Sequence, residues 1–155
     1  MKIDIGLDEA QRQQIAGGLE RVLADTYTLY LMTHNFHWNV TGLMFQTLHT
    51  LFQTQYNELW LAVDDVAERI RTLGEPAPGT YSKLAALTRI AEPQGVPEAM
   101  EMVRTLVRGH ESVVKTIREV LPLAQSASDE SSISLLTDRL LIHEKTAWML
   151  RSLIG

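Results

Sequence analysis

Between the turn residues Val40-Thr41-Gly42 and the pair Leu73-Gly74 lie about thirty residues without a helix breaker. A rod of that length limits what the chain can become. With Phe52 as zero and about 100° per residue, Phe45, Leu48, Phe52, Leu59, Val63, Val66 and Ile70 fall within roughly 40° of one line. That stripe is expected to face a core. On one flank of it, between roughly 60° and 160°, lie His49, Gln53, Asn57, Trp60, Asp64 and Glu68.

His49 and Asp64 are fifteen residues apart, about 22 Å at ~1.5 Å of rise each. One straight helix cannot bring both ends of this flank to one metal ion. Two antiparallel copies can, if a two-fold axis crosses near Asn57 to Leu59, because such an interface pairs residue i with j and j with i. Each His49 then faces the Asp64 and Glu68 of the other copy, with Trp60 beside the axis. His37, expected at the end of the preceding helix, adds a second imidazole through a tight hairpin. Imidazole and carboxylate on bundle helices form a ligand set for iron, manganese or zinc. Read alone, Asp64 and Glu68 would instead be a solvated acidic face or partners for Arg69 and Arg71.

The rest of the chain reads as helix. The first helix is expected from Asp8 towards Phe36, with Ile15, Leu19, Val22, Leu23, Leu29 and Tyr30 inward and a weak point at Gly17-Gly18. After Gly74, Glu-Pro-Ala-Pro-Gly ends the second helix. A short helix over Ser82 to Ile90, capped by Ser82, is expected before a second break at Glu92–Pro97. So long a connection suggests a crossover along a bundle rather than a hairpin. The next helix places Val103, Leu106, Val114, Ile117 and Leu121 on one face. After a Ser-rich turn, Ser126 to Ser132, the last repeats at Ile133, Leu136, Leu140, His143, Ala147, Leu150 and Ile154. Four amphipathic helices with one crossover predict an all-α, ferritin-like four-helix bundle, residues 1–155 forming a single domain.

His110 and His143 sit on apolar stripes and are expected to be hydrogen-bonded core residues. Trp38, Trp60 and Trp148 are expected as core or interface anchors. With no Cys, disulfides and Cys-based zinc sites are excluded. No signal-type segment or stretch of 18 apolar residues is present, so a cytoplasmic protein is expected. Net charge is −5, with 14 basic and 19 acidic residues and no basic arm or patch.

Thr33-His-Asn-Phe-His-Trp-Asn-Val-Thr-Gly42, Phe45-x-x-Leu48-His49, Gln55-Tyr56 and Asp64-x-x-Ala67-Glu68-Arg69-Ile70 closely resemble the Dps family, the DNA-binding proteins from starved cells or mini-ferritins. The resemblance covers essentially the whole chain, through the closing His143-Glu-Lys-Thr-Ala-Trp148. It implies a homododecameric shell with ferroxidase sites at two-fold interfaces, which oxidises Fe(II), hydrogen peroxide being favoured over dioxygen, and stores ferric mineral, protecting against oxidative stress. By motif position His37 and His49 are the ligands from one subunit, and Asp64 and Glu68 those from the other. Zinc or manganese would compete for the same ligands.

Two departures bear on function. One turn after His49 the family pattern has Asp or Glu, and this chain has Gln53. A neutral amide is a poorer ligand for a hard cation, so weaker Fe(II) binding or a single occupied position is expected, Gln53 acting through water. A shell with an impaired centre, serving as a metal-binding or structural protein, is the alternative. The family's acidic three-fold pore corresponds here to Asp129, Ser134 and Asp138, with Ser134 where Asp is common, so guidance of cations should be weaker. The other reading makes Asp129 a helix N-cap and Asp138 a solvated charge. Twelve copies at −5 carry about −60, which argues against direct DNA binding.

Overall fold

The computed structural model describes residues 2–155, which contain five helices and no strand: α1 (Glu9–Asn39), α2 (Phe45–Thr72), α3 (Tyr81–Leu87), α4 (Ala99–Ser126) and α5 (Glu130–Arg151). Asp8 caps α1, accepting from Gln11 N while the Gln11 side chain accepts from Asp8 N. The helix runs one turn past Phe36, and His37 lies in its last turn, at the end of the helix as expected. The crossover helix starts at Tyr81, not Ser82, and is capped by the Thr80 hydroxyl. Among the described residues no helix is long and apolar enough to cross a membrane.

Cross-helix contacts fix the topology. Arg12 bonds to the Leu73 carbonyl and His37 meets His49, so α1 and α2 are antiparallel. Asp25 meets Thr116 and Arg21 meets Glu119, so α4 is antiparallel to α1 and therefore runs the same way as α2. That shared direction forces the connection between α2 and α4 to travel the length of the bundle, with α3 packed on α1. α5 closes the ring against α4 and α2.

The core is continuous from Ile15, Leu19 and Phe36 through Phe52, Leu59 and Ile70 to Leu106, Ile117 and Leu150, all fully buried. Several expected faces are rotated. Val114 and Leu121 are only half-buried, the inward positions being Val113 and Val120, because α4 packs against both α1 and α5. Phe45 is 42% exposed, its ring lying over His49 at the start of α2. Trp38, Trp60 and Trp148 are 54–60% exposed and belong to no core within the subunit. Of the glycine pair, Gly17 faces open space, whereas a Cβ at Gly18 would sit 2.6 Å from Val120 Cγ1. Gly18 thus marks a close approach of α4, as does Gly109 of α4 against Leu29, at the same 2.6 Å.

Buried polar groups lock the bundle. Asp25, 1% exposed, accepts hydrogen bonds from Thr88 Oγ1 (2.8 Å), Arg89 N (2.8 Å) and Thr116 Oγ1 (2.5 Å), tying the end of α3 and the middle of α4 to α1. Arg139 forms a two-point ion pair with Glu58, joining α5 to α2. Its Nη2 also donates to His143 Nε2 at 3.0 Å, and His143 Nδ1 lies 2.9 Å from His110 Nδ1. An arginine only donates, so His143 carries its proton on Nδ1 and donates to His110. His110 and His143 are hydrogen-bonded core residues, as their place on the stripes indicates.

Burial, reinforced by the Arg139 guanidinium, pushes the His110 pKa down to about 3; His143 is held well below its ordinary value by burial, His110 and Arg139. Both rings therefore fold neutral, while in the unfolded chain they titrate near 6.5. As pH falls through 6.5, the unfolded state takes up protons that the folded state refuses, so stability falls progressively towards about pH 3, where His110 itself charges. Each imidazole contributes at most about 1.4 kcal/mol per pH unit in that window. Urea midpoints at fixed protein concentration should be level above about pH 7 and drop below it. In His110→Gln the drop should be shallower.

Candidate metal centre

The imidazole half of the site is set by the α1–α2 hairpin. Val40 ends α1 with an extended backbone, its N–H on the Phe36 carbonyl, and Gly42 turns the chain at φ +98°, a left-handed value that suits glycine. Phe36 and Phe52, both fully buried with ring centroids 6.4 Å apart, hold the two helices in register beneath the turn. His37 and His49 then face one another, their rings stacked at 3.8 Å and 20°.

Their hydrogen bonds are reciprocal. His37 Nδ1 is 2.7 Å from the His49 carbonyl, and His49 Nδ1 is 2.8 Å from the His37 carbonyl. A carbonyl only accepts, so both rings carry their proton on Nδ1, and in each neutral ring Nε2 holds the lone pair. Ligating imidazoles are commonly oriented by such a bond from the other ring nitrogen. His37 is largely covered and His49 half-buried.

Asp64 and Glu68 lie four residues apart on the α2 flank that carries His49, and both are exposed. Arg69 and Arg71 do not neutralise them. Arg69 turns to Asp129 Oδ1 (2.6 Å), Ser132 and Thr72, and Arg71 to the Glu75 carbonyl. Gln53, Asn57 and Trp60 are also exposed. The structure brings His37 and His49 together and leaves the carboxylates farther along the same rod. Among the described residues, no three His, Asp or Glu side chains of one chain converge on a common point.

Asp129 caps α5, accepting from Ser132 N, and is buried against Arg69, which together with Ser132 holds its carboxyl below the ordinary value despite the opposing effect of burial. Asp138 is exposed. Tyr30, expected to face inward, is only half-buried, and its ring joins those of His34 and Tyr56 around the hairpin, an arrangement to which no functional role was attached from the residues. His34 stacks between Trp38 (4.0 Å) and Tyr56 (4.1 Å), and Tyr56 stands edge-on to His37 at 5.2 Å. The signal was present as Tyr30, His34 and Trp38, spaced by four along one helix face. A concavity of about 640 Å³ lies beside Trp38, between α1 and α3, lined by Tyr27, Leu31, Tyr81 and Leu84.

Comparison with known proteins agrees with this architecture. Residues 16–155 match the ferritin-like domain. A low temperature-induced protein of Nostoc sp. is 37% identical over 155 residues, covering 99% of this chain and 87% of its own. DNA protection during starvation protein 2 of Bacillus anthracis is 32% identical over 143 residues, covering 92% and 98%. The crystal structure of the Dps protein of Vibrio cholerae O1, described as a member of a broad superfamily of ferritin-like diiron-carboxylate proteins, superposes with a TM-score of 0.94 at 31% identity, over 100% of this chain and 98% of that one. The bundle, its crossover and these similarities together make the chain a member of the Dps family, the iron-storing mini-ferritins of the ferritin-like superfamily.

Proposed function

We propose that this protein is a ferroxidase that binds Fe(II) between two subunits, His37 and His49 coming from one and Asp64 and Glu68 of the partner subunit completing the site. The observation that carries this reading is the pair of reciprocal imidazole–carbonyl hydrogen bonds, which leaves both Nε2 lone pairs unengaged at one hairpin. Two exposed carboxylates on the same helix flank, with neighbouring arginines committed elsewhere, supply the negative charge a divalent cation needs. Exposed apolar side chains along α1, α2 and α3, among them Leu31, Trp38, Trp60, Leu61 and Tyr81, support assembly through these faces. The assembly is a homododecamer, by family resemblance.

In the reaction the imidazoles and carboxylates hold Fe(II) with positions open to an oxidant, hydrogen peroxide in preference to dioxygen. Ferric product is stored as mineral, removing both reactants of hydroxyl-radical chemistry. Asp138 lines the entry pore, with Asp129 at the pore end of α5, locked there by Arg69. Direct DNA binding is not part of this reading. Arg21, Arg69, Arg89, Arg108, Arg118, Arg139 and Arg151 are each engaged with an internal carboxylate, and the net charge is −5.

Gln53 favours a second reading, a shell with an impaired centre that binds metal without fast oxidation. Anaerobic Fe(II) loading followed by separate additions of peroxide and dioxygen, with ferric absorbance recorded, separates the two. Oxidation well above that of free iron and lost in His49→Ala is expected; a rate equal to free iron leaves the impaired shell. Subunit sharing has its own signature. Shells of His49→Ala alone, or of Asp64→Ala/Glu68→Ala alone, should be inactive, whereas shells reassembled from an equal mixture should regain about a quarter of the wild-type sites, because each mixed dimer restores one site of two. No recovery would place all ligands in one subunit. Gln53→Glu should tighten Fe(II) binding about tenfold or more by adding a carboxylate, measured by anaerobic titration calorimetry.

A further inference from the structure

From His37 a run of partly buried aromatic rings leads away from the proposed iron position along the α1–α2 face. Tyr56 stands 5.2 Å from His37, His34 lies 4.1 Å from Tyr56, and Tyr30 lies 5.7 Å from His34 and 6.3 Å from Tyr56. Trp60 and Tyr27 lie 5.5 and 5.8 Å beyond, on either side of Tyr30. At the centre, Tyr30 Oη is 3.3 Å from His34 Nδ1. A phenol paired with an imidazole and joined ring by ring to a metal ligand suits one-electron chemistry. Oxidised phenol is a strong acid, so its electron leaves readily only if a neighbouring base accepts the proton.

Gln53 creates a need for such a group. Hydrogen peroxide accepts two electrons, whereas one Fe(II) supplies one. If the neutral amide leaves a single iron at each position, the first step is Fe(II) + H2O2 → Fe(III) + OH⁻ + HO•, and the hydroxyl radical remains to be reduced. We propose that Tyr30, paired with His34 and reached through Tyr56, is a one-electron reservoir that supplies this missing electron. This rests on the iron-oxidising reading above.

The step balances as Tyr30–OH + His34 + HO• → Tyr30–O• + His34–H⁺ + OH⁻, the phenolic proton passing to Nδ1. A second Fe(II) then returns an electron to the phenoxyl oxygen while His34 returns the proton, giving a second Fe(III) and the resting pair. Two Fe(II) and one peroxide thus yield two Fe(III) and two OH⁻ with no radical released. At rest the proton stays on the phenol: burial, with the Tyr27 and Tyr56 phenols adding to it, raises the Tyr30 pKa. Tyr30 is the reservoir and His34 a positioning residue for its proton.

The test is rapid-freeze electron paramagnetic resonance on shells loaded with one Fe(II) per proposed site and mixed with one equivalent of peroxide. A tyrosyl signal that narrows with ring-deuterated tyrosine is expected in the wild type. It should fall to background in Tyr30→Phe, with ferric yield on the first turnover unchanged. In His34→Leu radical formation should slow by about a hundredfold, the typical worth of a positioned proton acceptor. Ferric formation without a tyrosyl signal, or an undiminished signal in either variant, would overturn the proposal. A second arm needs no iron: azide radicals made by pulse radiolysis oxidise tryptophans of the metal-free shell, and conversion of indolyl to tyrosyl radical should be slower in Tyr30→Phe. Equal conversion rates would overturn the reservoir. Slowed conversion in a shell whose iron oxidation merely equals that of free iron would uphold it and remove the ferroxidase reading instead.

Discussion

The rigid length of α2 governs this molecule. A helix of 28 residues keeps His49 and Asp64 about 22 Å apart however the subunit folds, since the rise per residue is set by backbone hydrogen bonds. Everything else about the proposed site follows from that separation. The histidine end can be completed locally, because the hairpin returns α1 to the same level and brings His37 against His49. The carboxylate end has no comparable neighbour within the chain. A shared site joins function to assembly: the faces that carry the ligands are also those that leave Trp60 and Leu61 uncovered in one subunit.

A rod can present ligands only if it does not rotate, and buried polar groups prevent that. Apolar packing alone tolerates small rotations, because dispersion is non-directional. A buried carboxylate with three donors tolerates far less, since any shift leaves a buried donor or acceptor unpaired. Asp25 performs this for α1, the crossover and α4. The Glu58–Arg139–His143–His110 chain does so for α2, α5 and α4, and Arg69 with Asp129 fixes the far end of α2 to the start of α5. The flank with Asp64 and Glu68 is thereby turned outward, roughly 80–140° around α2 from Glu58 and Arg69. Because Arg69 is held by Asp129, the charge of the adjacent Glu68 is left for a ligand.

The aromatic rings around the hairpin belong to the same arrangement. His34 is squeezed between Trp38 and Tyr56, which directs its Nδ1 to Tyr30 in the preceding turn. The family resemblance implies the metal ligands. What this chain does with a neutral Gln53 in place of a carboxylate depends, in the proposal made above, on the phenol–imidazole pair of Tyr30 and His34 as well.

The sequence by itself determined the helices, their amphipathic spacing, the crossover and the pairing of His37 with His49. Each of these depends on local backbone preference or on a hairpin too short to allow a choice. The separation of the two ligand pairs was likewise legible, as arithmetic on residue numbers. Only the tertiary structure decided which way each helix is turned about its axis. That rotation covers Val113 and Val120 in place of Val114 and Leu121, exposes three tryptophans, and directs Arg69 to Asp129 rather than Glu68. It also brought Asp25 to Thr88 and Thr116, residues 63 and 91 positions away. The physical reason is that such pairings depend on the register and rotation of helices distant in the chain. Those are settled by the sum of many weak packing contacts and a few buried hydrogen bonds, not by any spacing within one helix.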